Sequence, residues 1–465
     1  MPDGPAPGAI SNFTSDLLFS MERLSVNPYA IKRIHPTAQE LPFSLDDSLA
    51  TAISGWTLDQ LHRNGHLFVV DHSYQAKYPT AKGRYTAGCS AYFFIHPKSN
   101  QFLPLAIKTN VGANLIYTPL DGEADWLLAK AMFNQNDLFH GQIFHLANSH
   151  AVIEVVHLAA LRTLSDKHPV LVLLKRLMHQ AYAIRPVGER VLFNSEGLFD
   201  KSFAITNIGV RKFASEFYPL VAGPFQANYF SSNLIARGLL NCTYGPELPF
   251  LPFYTDASAM VAAIRRFISE FVASYYASEK VVALDHELQA WVKEATLSAG
   301  VIDFPPAPLL QRQTLVDILT HAAFLTGVSH HVLNAGTPFG TSGMLPLHPA
   351  ALYKPPPKKK GLKMDEIMEF LPGFEQAVDH VSLLAFFNRP VLQGEKRTLA
   401  YMFSGEELRE GGDRLKRAAE MFEKEMLRIS TVIKQRGFDE TGLSLGMPFV
   451  WRALDPVKIP YFLSV

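Results

Sequence analysis

The segment His140–His168, HGQIFHLANSHAVIEVVHLAALRTLSDKH, sets histidines at 140, 145, 150, 157 and 168 in a run whose apolar residues recur every three or four positions. That recurrence predicts helix from Glu123 to Arg185, interrupted at Pro169, because residues three and four apart share one helix face. A lone histidine on an apolar face is usually a hydrogen-bonded core residue. Five in one helical stretch point to a metal, since imidazole suits zinc, copper, iron and their neighbours. Spacing sharpens the reading. Residues five apart lie roughly 140° apart on an α-helix of 3.6 residues per turn. His145 and His150 therefore share a metal only if a π-bulge absorbs one extra residue between them. A second pair, His330 and Asn334, is spaced i, i+4 and lies on one face of an ordinary helix. For that pair, helix-end capping by Asn334 beside a merely polar His330 stands as the alternative.

Outward from this segment, Ala257–Ala277 and Leu315–Leu333 repeat the helical pattern, the latter carrying His321, His330 and His331. Gly405–Arg436 reads as a charged amphipathic helix with a solvated face. His66–His72, Ala91–His96 and Phe102–Lys108 read as short strands. Residues 1–26 are rich in Pro, Gly and Ser and are expected to form a loose arm, and Lys354–Lys360 (KPPPKKK) an exposed loop. With no internal repeat and no linker, the expectation is a mainly α fold. One large helical domain spans 27–465, with small β-rich segments near the N-terminus.

Composition bounds the function. The 43 basic and 43 acidic residues cancel, so no global field favours nucleic acid. Hydrophobic residues make up 48% of the chain and 33 residues are Phe, which suits a large apolar interior with room for an apolar ligand channel. Cys89 and Cys242 are the two cysteines, too few for a disulfide framework. No run of 18 apolar residues predicts a transmembrane helix. The first residues lack the basic and apolar regions of a signal peptide, so the chain as it stands reads as intracellular. HExxH, CxxC, GxGxxG and Walker A motifs are absent, which argues against zincins, zinc ribbons and nucleotide sites.

Trp126–Ser165 (WLLAKAMFNQNDLFHGQIFHLANSHAVIEVVHLAALRTLS), followed by His168-Pro169, resembles the core signature of lipoxygenases. That signature joins WxLAK, a downstream Asp, histidines at five-residue spacing and RxLSxxHP. NPYAI (Asn27–Ile31), LFVVD (Leu67–Asp71), LPLAI (Leu103–Ile107) and Thr118-Pro119 are similar to the family's upstream landmarks. HHVLN (His330–Asn334) is similar to its second ligand motif, and LPLHP (Leu345–Pro349) to its fungal branch. The likeness runs from about residue 27 to the C-terminus.

The resemblance implies a lipoxygenase-like helical catalytic domain, a non-heme metal dioxygenase. It would insert O2 into polyunsaturated fatty acids such as linoleate to give hydroperoxides. The ligands it implies are His145, His150, His330, Asn334 and the terminal carboxylate of Val465, with His140 and His331 as neighbours. No catalytic side chain is implied beyond hydroxide at the metal. A terminal valine is similar to the fungal manganese members, so manganese is expected, with iron as the alternative. Gln142 and Asn148 are candidates for orienting ligands, and Arg389 for pairing with the substrate carboxylate. A Gly or Ala that sets the oxygenation position is expected within Gly209–Ser215. A monomer is expected. Two departures from the family, a tail reading Pro460-Tyr-Phe-Leu-Ser-Val465 without Asn-Ser and a short N-terminus without the secretion signal usual in fungal members, motivate an alternative. It is an inactive lipoxygenase-fold lipid-binding protein. A zinc hydrolase on the same histidines would need a general base, and only Glu154 is near in sequence.

Overall fold

Near the N-terminus, aromatic and β-branched residues pair into five antiparallel strands in the order β1-β2-β3-β4-β5: Lys32–Arg33, Leu67–Asp71, Ser90–Ile95, Phe102–Lys108 and Ile116–Tyr117. The computed structural model of the chain describes residues 14–179, 181, 186, 188–333, 348–373, 375–376, 396–448 and 450–463. Side chains alternate between the sheet's faces. Phe68, Val70, Phe93 and Ile107 pack on the main helical core. Leu67, Val69, Tyr92 and Phe94 pack on Ile34, Phe43 and Leu61 in a smaller cluster. All six β3 residues are buried, so SAYFFI is apolar on both faces apart from its first residue.

The helical body follows. Helix α1 spans Asp16–Met21, α2 Glu123–His145, α3 Val152–Thr163 and α4 Pro169–Leu177. Glu123–Thr163 is long and apolar enough to cross a membrane, but 67% of its most apolar window is buried inside the molecule, where it forms the core helix. The expected interruption at Pro169 is a new helix start. Pro169 sits at the first position, where its missing N–H costs nothing, and the His168 side chain caps Val170 N. Farther on lie α5 (Asn207–Phe217), α6 (Pro252–Tyr275), α7 (Arg312–Phe324), α8 (His330–Leu333) and α9 (Asp413–Gln435). Helix α6 packs against α7 and α9.

Two expectations change. The last long helix begins at Asp413 rather than Gly405, because Gly412 has φ of 84°, a left-handed conformation that no right-handed helix continues. Residues 1–26 are expected to form a loose arm, yet in its described part, from residue 14, Leu18, Phe19 and Met21 are buried. Phe19 stacks on Phe93 at 5.6 Å. Trp126 Nε1 and Lys130 Nζ, the first and last residues of WLLAK, both donate to Asp16 Oδ1, at 2.7 and 2.9 Å.

Arg23 completes that attachment. Fully buried, it donates to Asp137 Oδ2 at 3.2 Å and to Glu22 Oε2 at 3.1 Å, while Asp137 Oδ1 accepts from His72 at 3.0 Å. Burial alone would raise the Asp137 pKa, but Arg23 and then His72 outweigh it and hold the carboxyl well below the usual range. Asn27, in NPYAI, donates to the Asp137 backbone carbonyl at 3.1 Å. Arg23→Met should therefore lower the unfolding free energy by about 3–5 kcal/mol at neutral pH, because it leaves buried carboxylates without their cation. A depressed pKa stabilises above the unfolded value, about 4 for Asp, and that contribution fades as pH falls toward the folded value. Urea unfolding of parent and variant should thus converge in acid. Equal stability at neutral pH would show that the pair is not a structural anchor.

Candidate metal centre

Between α2 and α3 the chain forms a π-helical segment, Leu146–Ala151, which is the bulge that the five-residue histidine spacing requires. Polar side chains of this segment bind nearby backbone carbonyls. Ser149 Oγ donates to the His145 carbonyl, and Asn148 Nδ2 donates to Ala222 O at 2.9 Å, tying the bulge to a further π segment at Tyr218–Ala222. Asn148 thus holds backbone rather than a ligand. Gln142 lines a small cavity of about 40 Å³ beside Arg23 and Asp137.

A third π segment, Leu325–Ser329, directly precedes α8. Thr326 Oγ1 donates to Ala322 O and Ala323 O, both at 3.2 Å. Gly327 meets Met402 and Leu399 so closely that an added Cβ would lie 2.5 Å from Met402 Cε. Tyr29, also in NPYAI, shares a 2.7 Å hydrogen bond with Ser329 Oγ and stacks on Phe144.

These turns bring His145, His150 and His330 together, with one nitrogen of each within 4.8 Å of the others. His330 Nε2 stands 2.9 Å from His150 Nε2. Burial pushes His145 down to about 3 and His150 to about 4, and holds His330 well below the usual histidine value with help from His331, His150 and His145. All three rings are therefore neutral around pH 7 and offer lone pairs. Two nitrogens 2.9 Å apart fit adjacent positions of one ion, given metal–nitrogen bonds of about 2.0–2.1 Å as for zinc. Neutral imidazoles in an apolar setting suit a divalent transition ion, so the residues fit a metal.

The other histidines of the ladder stand elsewhere. His140 Nδ1 meets Tyr74 OH at 2.8 Å, and His168 Nε2 meets Asp285 at 3.1 Å. His157 is buried on α3. Asn334, Arg389 and Val465 lie outside the described residues. The residue that sequence reasoning undervalued is His331. Its Nδ1 lies 3.2 Å from His330 Nδ1, and its Nε2 lies 3.1 Å from Phe462 O in the C-terminal tail. The doublet His330-His331 was the signal.

A cavity of about 540 Å³ runs from His150 and Leu463 outward along α2, the bulge and α3. Ile143, Ala147 and Val155 make its wall apolar, and Glu154 lies one helical turn beyond His150. Within the Gly209–Ser215 segment, Arg211, Ala214 and Ser215 reach this cavity. Gly209 instead packs on Ile205 and Tyr78.

Comparison with known proteins identifies the family. The family model described as lipoxygenase matches residues 19–444. The chain is 58% identical over 466 residues to a manganese lipoxygenase of Fusarium oxysporum (strain Fo5176), covering 100% of this chain and 76% of that relative. It is 55% identical over 468 residues to a manganese lipoxygenase of Pyricularia oryzae, covering 100% and 75%. A solved manganese lipoxygenase structure superposes with a TM-score of 0.95 at 55% identity, covering 98% of this chain and 80% of that one. The chain belongs to the lipoxygenase family, metal dioxygenases that act on fatty acids. Nothing among these relatives favours the inactive lipid-binding alternative, and the family sets aside the hydrolase reading.

The bulge carries its own test. Ser149→Ala leaves the His145 carbonyl without its side-chain donor in a buried setting, at an expected cost of about 1–3 kcal/mol. Denaturant unfolding measures it; an unchanged midpoint would mean that the π turn is held by other contacts.

Proposed function

We propose that this chain is a manganese-dependent lipoxygenase that converts polyunsaturated fatty acids such as linoleate into hydroperoxides. The observation that carries the reading is the convergence of His145, His150 and His330, with His150 also lining an apolar cavity. These three imidazoles, with Asn334 and the Val465 carboxylate completing the set, would hold the ion. Manganese rests on the names of the close fungal relatives, and iron is the alternative that the same donors accept. When bound, the metal supplies the one-electron chemistry that removal of a bis-allylic hydrogen atom requires.

The chain's own residues supply the rest. The cavity volume falls within the usual 300–1,000 Å³ of small-ligand sites. Its aliphatic wall takes an acyl chain and keeps water from the reacting carbons. Arg389 remains the proposed partner of the substrate carboxylate. Ala214 faces the cavity from α5, so its side chain bears on how the acyl chain lies against the reacting end.

Expression with manganese and iron both supplied, then metal quantification and conjugated-diene absorbance with linoleate in air, tests the proposal. The parent should hold about one manganese per chain and form diene. His145→Ala, His150→Ala and His330→Ala should each lose both, and Asn334→Ala should weaken both less. Iron as the dominant metal would overturn the manganese assignment, and a fully active His150→Ala would overturn the ligand set. Ala214→Phe should keep its metal but lower kcat/KM for linoleate by roughly tenfold, about 1.4 kcal/mol; an unchanged value would place the acyl chain elsewhere.

A further inference from the structure

We infer that His331 is a positioning residue that uses a backbone carbonyl of the C-terminal tail to fix the His330 tautomer, leaving the His330 Nε2 lone pair facing the metal site. The inference rests on the metal reading above and extends it to a residue that is not itself a ligand.

A chain of hydrogen bonds runs from Phe462 through His331 to His330. A carbonyl oxygen only accepts, so the 3.1 Å contact between Phe462 O and His331 Nε2 places a proton on that nitrogen. His331 is fully buried, and a neutral imidazole has a single N–H. Its Nδ1 is therefore a bare lone pair. That lone pair lies 3.2 Å from His330 Nδ1. Two lone pairs at that distance repel, so His330 Nδ1 carries the proton and donates it. A fully buried His330 ring whose single N–H is at Nδ1 is then bare at Nε2. That is the atom 2.9 Å from His150 Nε2 in the histidine cluster. The opposite tautomer would point an N–H at the ion.

The arrangement links two parts of the molecule that the metal needs together. The hydrogen bond that a ligating imidazole makes through its other nitrogen sets which nitrogen is free and how the ring is oriented. Here the bond passes through His331 to Phe462, three residues before the chain's last residue. Neighbouring contacts hold that stretch: Leu463 lines the cavity beside His150, the Phe462 ring packs edge-on against His179 at 5.1 Å, and Arg176 lies over the Tyr461 ring at 4.6 Å. A seated tail therefore prepares His330, and a tail that lifts away frees His331 Nε2 and with it the tautomer.

Two variants separate the two bonds. His331→Asn places an amide oxygen near the Nδ1 position, able to accept from His330 but too short to reach Phe462. His331→Gln reaches toward Phe462 with an amide N–H but offers nothing at the Nδ1 position. Manganese-loaded full chains are titrated with EDTA to read metal affinity, hydrogen exchange is followed across residues 459–463, and circular dichroism checks the fold. His331→Ala and His331→Gln should each weaken manganese binding by roughly 10–100-fold, and His331→Asn should restore most of it. Tail protection should follow the opposite order, kept in His331→Gln and lost in His331→Asn and His331→Ala. Equal manganese affinity in the Asn and Gln variants, or parent affinity in His331→Ala, would overturn the inference. A parent chain that holds no manganese would instead overturn the metal reading itself.

Discussion

An α-helix turns about 100° per residue, so side chains five apart point in different directions, and a metal site built on such a pair needs the helix to lose register locally. The π segment Leu146–Ala151 does this, and the site depends on it. Without it, His145 and His150 diverge, and one of them leaves the cluster. The local sequence meets the cost of the wider turn: Ser149 takes the His145 carbonyl and Asn148 reaches the neighbouring Tyr218–Ala222 segment. The Leu325–Ser329 turn faces this bulge across the core and delivers His330 from the other side. A three-imidazole centre is thus assembled from two irregular turns packed on each other, each stabilised by hydroxyl or amide side chains.

Burial then decides the chemistry of those imidazoles. Removal from water disfavours the cationic form of each ring, and neighbouring histidines add to the effect at His145 and His330. The rings are kept neutral by a large apolar core, and neutral rings are what a metal takes. Charge is segregated instead into the Arg23–Asp137 pair, whose Asp137 lies on α2 about two turns before His145 and also meets His72. That cluster anchors residues 14–27 to the same helix that presents the ligands. One helix therefore carries an ionic anchor at its middle and a neutral donor set at its end, with His140 and its Tyr74 contact between them.

Much of this was legible in the sequence, for identifiable reasons. Strands β2, β3 and β4 carry dense aromatic and aliphatic runs, and the structure places them within a residue of the expected bounds. The helical body follows three-and-four periodicity, and the bulge followed from arithmetic on one pair of histidines. Other features depend on partners distant in sequence. Residues 14–26 look loose because their composition is weakly patterned, but Trp126 and Lys130 lie more than a hundred residues away and fix Asp16. The start of α9 was misplaced because charge periodicity continues through Gly411-Gly412, and only the left-handed backbone at Gly412 marks the break. The Leu325–Ser329 turn had no histidine pair to betray it. His331 reads as a bystander until Phe462 is placed against it.

The residues before the C-terminus join the helical core to the histidine cluster. A side chain on a helix is held by that helix, whereas a stretch near the end of a chain is held only by whatever grips it. Here the grips are varied: a hydrogen bond from Tyr461 N to Arg397 O at 3.2 Å, a cation over the Tyr461 ring, an edge-on imidazole at Phe462 and the His331 bond to the Phe462 carbonyl. The first three fix position alone. On the inference above the last also places a proton, because a carbonyl only accepts and a neutral imidazole has one N–H. An alanine in place of His331 would pack and still leave His330 free to present either nitrogen. A second histidine at that position makes the geometry of the tail and the protonation pattern of a ligand the same fact.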